Sequence, residues 1–290
     1  MRVFLYGQKW KKEDDSYIKL LLAKLDKEKI EYKFSEKLQA EATIEIGADR
    51  VLSTHEELKR YAPELIITLG GDGTILAAVT MIRELEIPIM GINLGRLGFL
   101  ASIEQQRIEK AIDLYLQGEY TISERAMIEL ISDPHIFGDK NYALNELTIL
   151  KRDNSSMIVL HTYVDGEFLN SYWADGLIVS TPTGSTGYNL SCGGPIIFPT
   201  SDNFILTPVA PHNLNVRPVV LSSEHELSFK IEGRSENYLC TLDSRHTTIT
   251  SEYDIKLRRN KFSTKLINLK VDNFMSTIRN KLHWGIDKRN

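Results

Sequence analysis

The chain has 290 residues, 42% of them hydrophobic and 26% charged, a balance ordinary for a globular protein and long enough for one large domain or two modest ones. A net charge of −4 and a pI near 6.0 argue against broad capture of nucleic acid or of an anionic membrane surface, so small molecules are the expected partners. Cys192 and Cys240 are too few for a disulfide framework and lack zinc-ligand spacing, so two reduced thiols are expected.

The first apolar run, Val3-Phe4-Leu5-Tyr6, ends at Lys9, Lys11 and Lys12 and is too short for a signal peptide. No apolar stretch approaches the ~20 residues needed to span a bilayer. A cytoplasmic location is expected, in which the sequons at Asn154-Ser155-Ser156 and Asn189-Leu190-Ser191 carry no meaning. Residues 3–6 read as a short buried strand and residues 14–29 as a helix, with Tyr17, Leu21 and Leu25 on one face. A second strand fits 31–34. Ser53-Thr54-His55-Glu56-Glu57 places a capping box ahead of another helix. Leu65-Ile66-Ile67-Thr68-Leu69 is a β-branched run that stops at Gly70; helical spacing resumes from Ile75 through Val79 and Ile82, and 89–92 is another buried strand. Such alternation predicts an α/β domain, a Rossmann-like parallel sheet with helices on both faces, over residues 1–120.

After Tyr120 the pattern turns to β. Strands are expected at 127–131, 142–150, 157–164 and 167–173, the last two joined by a tight turn at Asp165-Gly166. Further strands fit 177–180, 219–221 and 227–230. An all-β, sandwich-like domain is predicted over 121–268, followed by a helical tail, 269–290, that folds back on the first domain.

Chemistry concentrates first at Gly70-Gly71-Asp72-Gly73-Thr74, between the buried strand and the helix. Glycines let backbone N–H groups approach phosphate oxygens, and the helix N-terminus adds its own free N–H groups and positive dipole end. The loop is neither a Walker A motif nor a dinucleotide fingerprint. Asp72 would repel a phosphate unless it holds Mg²⁺ or takes a proton from an attacking hydroxyl. The plainer alternative is a strand-to-helix turn with Asp72 as N-cap. In this context the loop resembles that shared by NAD kinases, lipid kinases of the diacylglycerol and sphingosine type and, more distantly, phosphofructokinases, all phosphoryl transferases.

The second half discriminates among them. Asn145-Glu146 alone carries almost no information and reads first as two surface polar residues on a strand. Residues 175–188 (DGLIVSTPTGSTGY) run from a buried strand into a loop dense in small hydroxyls and glycines, suited to ribose or phosphate oxygens. Gly193-Gly194-Pro195 and Thr207-Pro208-Val209-Ala210-Pro211-His212-Asn213 read as rigid turns. Together with Gly91-Ile92-Asn93-Leu94-Gly95-Arg96-Leu97-Gly98-Phe99-Leu100, these segments strongly resemble the NAD kinase family, in order, over residues 65–246.

That resemblance implies transfer of the ATP γ-phosphoryl group to the 2′-hydroxyl of the adenosine ribose of NAD, with Mg²⁺ or another divalent cation carried with ATP near Asp72. Asp72 would be the general base, and Gly70, Gly71, Gly73 and Thr74 would cradle donor phosphates. Asn145 and Glu146 would hydrogen-bond NAD, and Asp175 would meet its nicotinamide side. Thr186, Gly187, Tyr188, Asn189, Leu190 and Ser191 would line the adenine pocket, with Ala210 as a close wall and Phe99 as an apolar floor. The site would lie between the two domains, and the family's habit is a homodimer or homotetramer. Two departures stand out. Gly187 replaces the family's common Ala, and Trp173 stands where many members carry a basic residue, a place Lys151 or Arg152 would have to fill. His212 and His246 border these segments without metal-ligand spacing. The basic run Lys256, Arg258, Arg259, Lys261 and Lys265 reads most simply as a solvated face; a second reading is attraction of a polyphosphate donor. A lipid kinase and a non-catalytic NAD- or NADP-binding regulator are the competing readings; the first lacks an advertised membrane-directed apolar surface, and the second predicts a damaged loop where Asp72 is intact.

Overall fold

The computed structural model describes residues 1–95, 97–152, 157–270 and 273–285. Arg96, the sequon at Asn154 and the two ends of the expected helical tail, 271–272 and 286–290, lie outside the described residues. Two compact units emerge: Met1–Glu124 with the chain from Thr264 onward, and Arg125–Ser263. The strand Thr264–Leu269, expected in the second domain, pairs parallel with Ile89 of the first unit through Leu266.

In the first unit, β1 (Arg2–Gly7), β2 (Glu31–Ser35), β3 (Val51–Leu52), β4 (Leu65–Leu69) and β5 (Ile89–Asn93) form a parallel sheet in the order β3-β2-β1-β4-β5. The short β6 (Ile103–Glu104) pairs with β5, and β7 (Tyr120–Arg125) lies beyond Thr264–Leu269. All five residues of β4 are buried, as expected of a central strand covered on both faces. Around the sheet run α1 (Asp15–Lys27), α2 (Glu36–Ala40), α3 (His55–Tyr61), α4 (Asp72–Ile82) and α5 (Ile108–Leu116). Helix α1 buries Ile18, Leu21, Leu22 and Leu25 at the helical repeat. Helix α3 starts at the capping box read in the sequence: Glu57 N donates to Thr54 Oγ1 at 3.2 Å, and Glu57 Oε2 accepts from Thr54 N at 3.1 Å. The chain leaves β1 for one side of the sheet and returns through β4 to the other, so the carboxyl ends of β1 and β4 flank a topological switch point.

The second unit carries β8 (Ile128–Asp133), β9 (Tyr142–Ala143), β10 (Glu146–Lys151), β11 (Ile158–Val164), β12 (Glu167–Ala174), β13 (Gly176–Ser180), β14 (Asn203–Val209), β15 (Val219–Ser222), β16 (Leu227–Gly233), β17 (Tyr238–Leu242), β18 (Arg245–Ile249) and β19 (Asp254–Arg259). They form two six-stranded sheets, β15-β14-β13-β10-β17-β18 and β12-β11-β16-β19-β8-β9. Leu147, Val179 and Phe204 of the first share one core with Leu160, Tyr172 and Phe229 of the second. Asp165 and Gly166, both at positive φ, make the two-residue turn between β11 and β12.

Three local readings are revised. Helix α4 starts at Asp72 rather than Ile75, with Gly71 as its N-cap and no side-chain cap from Asp72. The single strand expected at 142–150 is split into β9 and β10, because the amides between them turn to the Asp243 side chain. Thr207-Pro208-Val209, expected as a turn, closes β14. Pro208 is tolerated because β15 pairs only as far as Leu206, so on that side no strand asks for its missing N–H. The basic run is also more committed than a solvated face: Arg258 pairs with Glu129, Arg259 with Asp202 and Lys265 with Glu86.

Candidate active site

At the carboxyl ends of β1, β4 and β5 the first unit opens a cavity of ≈ 370 Å³. Its wall takes Gln8, Lys9, Lys11 and Asp14 from the β1–α1 loop, Gly70, Gly71 and Thr74 from the glycine loop, and Asn93-Leu94-Gly95 from the end of β5. Gly70 is required by the fold: φ is +147°, and a Cβ there would sit 2.3 Å from Thr74 Oγ1. Gly71 and Gly73 are different. A Cβ on either would meet nothing within 4 Å, so the protein itself does not demand glycine there, and the bare backbone is left open at the N-terminus of an 11-residue helix.

Asp72 is not part of that open rim. Its Oδ2 accepts from Phe99 N at 2.8 Å, and its Oδ1 from Leu100 N at 3.0 Å and Ala101 N at 2.9 Å. Three of roughly four acceptor positions are used, and one lone pair on Oδ2 remains for an external proton. Gly98 is what lets the loop close on it, since a Cβ at Gly98 would fall 1.8 Å from Asp72 Oδ1. The same loop is tied down from α7 (Phe274–Leu282): Lys281 Nζ donates to Leu97 O and lies 5.3 Å from the centre of the half-buried Phe99 ring. Phe99 therefore supplies a backbone donor and a cation-facing ring.

In the second unit the sequence segments meet in two groups. The first is built on Asn145 and Glu146 at the start of β10. Thr181 N donates to Asn145 O at 2.8 Å and Thr181 Oγ1 to Leu144 O at 2.6 Å, which lays the 181–187 loop over the pair. A Cβ at Gly184 would be 2.2 Å from Asn145 O, and one at Gly187 would be 3.1 Å from Glu146 Oε2. Asn145 Oδ1 and Glu146 Oε2 are buried and have no hydrogen-bond partner among the described residues, two adjacent acceptors left open. Asp243, a residue the sequence reading passed over, organises the segment. At φ +52° it accepts from Leu144 N (2.9 Å), Asn145 N (2.8 Å) and Glu146 N (3.2 Å). Burial, and then the Asp243 carboxylate, push the Glu146 pKa up to about 8. Burial raises Asp243 too, against three amides and the Arg245 charge that favour its ionised form.

The second group sits at the other end of β13. Glu146 is in register with Ser180 and Leu150 with Gly176, so Asp175 lies on the order of 15 Å along the strand from the first group. Asp175 Oδ1 pairs with Lys151 Nζ at 2.6 Å, which brings one of the two candidate cations beside the Trp173 position; Arg152 is instead directed to Thr248. Trp173 is 49% exposed, its carbonyl accepts from His212 N, and Ala210 is exposed at φ +45°.

Of the 186–191 segment, Tyr188 and Ser191 are exposed on α6 (Tyr188–Ser191), Thr186 and Leu190 are half-buried, and Asn189 is fully buried. Asn189 Nδ2 donates to Ser185 O and Pro195 O, and its Oδ1 accepts from Thr207 Oγ1 at 2.6 Å. Its amide thus braces the 185–195 turn against β14. Both cysteines are free thiols, and burial pushes Cys240 up to about 12. Gly184 and Gly187 give a contrast that can be checked. Gly184→Ala, which meets backbone, is expected to cost about 1–3 kcal/mol, read as a lower Tm. Gly187→Ala, whose Cβ contacts only side-chain atoms and a carbonyl above 3 Å, is expected to leave Tm nearly unchanged.

Comparison with known proteins falls on the same two units. Residues 14–120 match the family model described as the ATP-NAD kinase N-terminal domain, and residues 144–269 the ATP-NAD kinase C-terminal domain. The chain is similar to an NAD kinase of Cytophaga hutchinsonii, 46% identical over 99% of both chains, and to one of Flavobacterium psychrophilum, 44% identical over the full length of both. Its fold is that of yeast NADH kinase complexed with NADH (TM-score 0.83, 21% identity, 98% of this chain and 88% of that one). It is also that of an NAD kinase from Archaeoglobus fulgidus in complex with ATP (TM-score 0.76, 24% identity, 98% of both).

Proposed function

Because the chain belongs to the NAD kinase family, we infer that it phosphorylates NAD to NADP with ATP, and that the two groups of open polar sites divide that work between donor and acceptor. The observation that carries the acceptor half is the pair of buried, unpartnered acceptors on Asn145 and Glu146 under the 181–187 loop. A ribose diol offers two O–H donors to such a pair, and a ligand anchored there extends along β13 toward Asp175 and Lys151. The bare backbone at Gly71 and Gly73, the α4 N-terminus, and Lys9 and Lys11 suit the donor phosphates.

In the reaction, the 2′-hydroxyl of the adenosine ribose attacks the ATP γ-phosphorus. The new O–P bond forms as the bridging bond to the β-phosphate breaks, ADP leaves, and the hydroxyl proton goes to Asp72 Oδ2. The three amides fix that carboxylate before substrate arrives, so positioning requires no reorganisation at the moment of transfer. Carboxylate, amide and hydroxyl oxygens around the donor cavity suit a hard divalent cation, which when bound with the triphosphate offsets the charge building on its oxygens. None of the helices of the described residues is long and apolar enough to cross a membrane. We propose a cytoplasmic homodimer or homotetramer; Phe168 and Trp173, 60% and 49% exposed on the edge strand β12, support the assembly.

The test is direct. Purified protein with ATP, Mg²⁺ and NAD should generate NADP that an NADP-specific dehydrogenase reduces; absence of NADP with ATP, other nucleoside triphosphates and polyphosphate would remove the assignment.

A further inference from the structure

Two successive aspartates open α1, and they are treated oppositely. Asp15 is fully engaged: its Oδ1 accepts from Trp10 Nε1 at 3.1 Å and from Thr43 Oγ1, and its Oδ2 pairs with Lys19 Nζ at 2.6 Å. Asp14 is only 6% exposed, yet its carboxylate forms no hydrogen bond or ion pair among the described residues. It occupies the N-cap position of α1 with φ −88° and ψ −7°, a helical conformation in which its side chain caps nothing. Lys11, three residues earlier, accepts Asp14 N on its carbonyl but turns its ammonium to Glu13, 3.3 Å away. Asp14 lines the cavity that also takes in Gly70, Gly71, Thr74, Lys9 and Lys11.

A carboxylate facing a phosphate cradle repels the ligand unless a cation lies between them. Mg²⁺ is typically held in that way, by one or two carboxylates plus substrate phosphates and water. We propose that Asp14 is the protein's metal-facing carboxylate in the donor site, receiving the divalent cation that accompanies the triphosphate, with Lys9 and Lys11 receiving the phosphates themselves. This rests on the reading that the cavity takes ATP. It separates two tasks: Asp72, held by three amides with one lone pair left open, handles the proton, and Asp14 handles the metal.

The experiment measures ATP binding by calorimetry on the intact protein, with Mg²⁺ and with EDTA, for wild type, Asp14→Asn and Lys9→Met. Wild type should bind ATP about ten-fold or more tightly with the metal, the scale of one contact to a charged group. Asp14→Asn should bring the two affinities within about two-fold of each other, leaving metal-free ATP binding unchanged or tighter because one repelling charge is gone. Lys9→Met should weaken both. As a second readout, Mn²⁺ paramagnetic resonance should show wild type with ATP retaining more bound metal than the variant with ATP. NAD affinity and Tm close to wild type show that Asp14→Asn remains folded. A variant that keeps the wild-type metal dependence overturns the assignment. So does one that loses ATP binding equally with and without metal, which makes Asp14 a structural residue. If wild type binds ATP normally but Lys9→Met changes nothing, the cavity is not the donor site, and the proposal falls with that reading rather than on its own account.

Discussion

Asp72→Asn is expected to lower turnover by a factor on the order of 10²–10⁴, the range for loss of a general base, while NAD affinity stays within about three-fold of wild type. Loss of rate alone does not identify the role, because Asp72 also anchors the 98–101 loop. The asparagine keeps one oxygen but turns an NH₂ toward an amide donor, and an unmade bond of that kind costs about 1–3 kcal/mol. The pH–rate profile separates the two. A base must be ionised to act, so wild-type kcat should climb with unit slope on the acid side, and that limb should vanish in Asp72→Asn. Gly98→Ala is the companion variant. It displaces the same carboxylate, whose Oδ1 would lie 1.8 Å from the new Cβ, without changing its chemistry. Its rate should fall while the acid limb persists. An Asp72→Asn variant with wild-type turnover, or with a lowered but unchanged profile, removes Asp72 as the base.

Glu146→Ala is expected to raise the Kd for NAD about 10- to 100-fold, equivalent to about 1.5–3 kcal/mol for a hydrogen bond to a charged group. The pH dependence carries a sign that tests the burial argument. Glu146 has its pKa raised to about 8 in the folded protein, against about 4.3 unfolded. The folded state therefore holds the proton more tightly. The stability this contributes is fully present below about pH 4.3 and is lost as pH rises through about 8. Relative to Glu146→Gln, which has no charge to lose, wild-type Tm should fall across that window. A ribose diol donating two hydroxyl protons favours the carboxylate form, so NAD uptake at pH 7 should release a proton. Titrations in phosphate and in Tris, whose ionisation heats differ, should report it. Tight NAD binding by Glu146→Gln with no proton release contradicts the carboxylate–diol contact.

The parallel sheet was legible because its strands are continuous apolar runs punctuated by glycine, and Leu65-Ile66-Ile67-Thr68-Leu69 ending at Gly70 is the clearest of them. Motifs made of adjacent residues were equally readable, which is why the glycine loop and the 181–187 segment stood out. Less legible were single residues whose meaning depends on distant partners. Asp243 lies 97 residues from Glu146 in sequence and turns the 144–146 backbone out of the strand, so periodicity alone ran 142–150 together. Asp14 differs from Asp15 only in what surrounds it. Lys281 reads as one more basic residue on an amphipathic helix until Leu97 and Phe99 are placed beneath it. Asn189 is legible only in part, because a motif does not show that its side-chain amide is bonded inside the fold, to Ser185 O and Thr207 Oγ1.

The position and stoichiometry of the transferred phosphate test the account most directly. A ³¹P spectrum of a reaction started from ATP, Mg²⁺ and NAD should show one new monophosphoester on the 2′-oxygen of the adenosine ribose, the NAD pyrophosphate intact, and one ADP formed per ester. ADP appearing without that ester, or an ester at any other position, would contradict it.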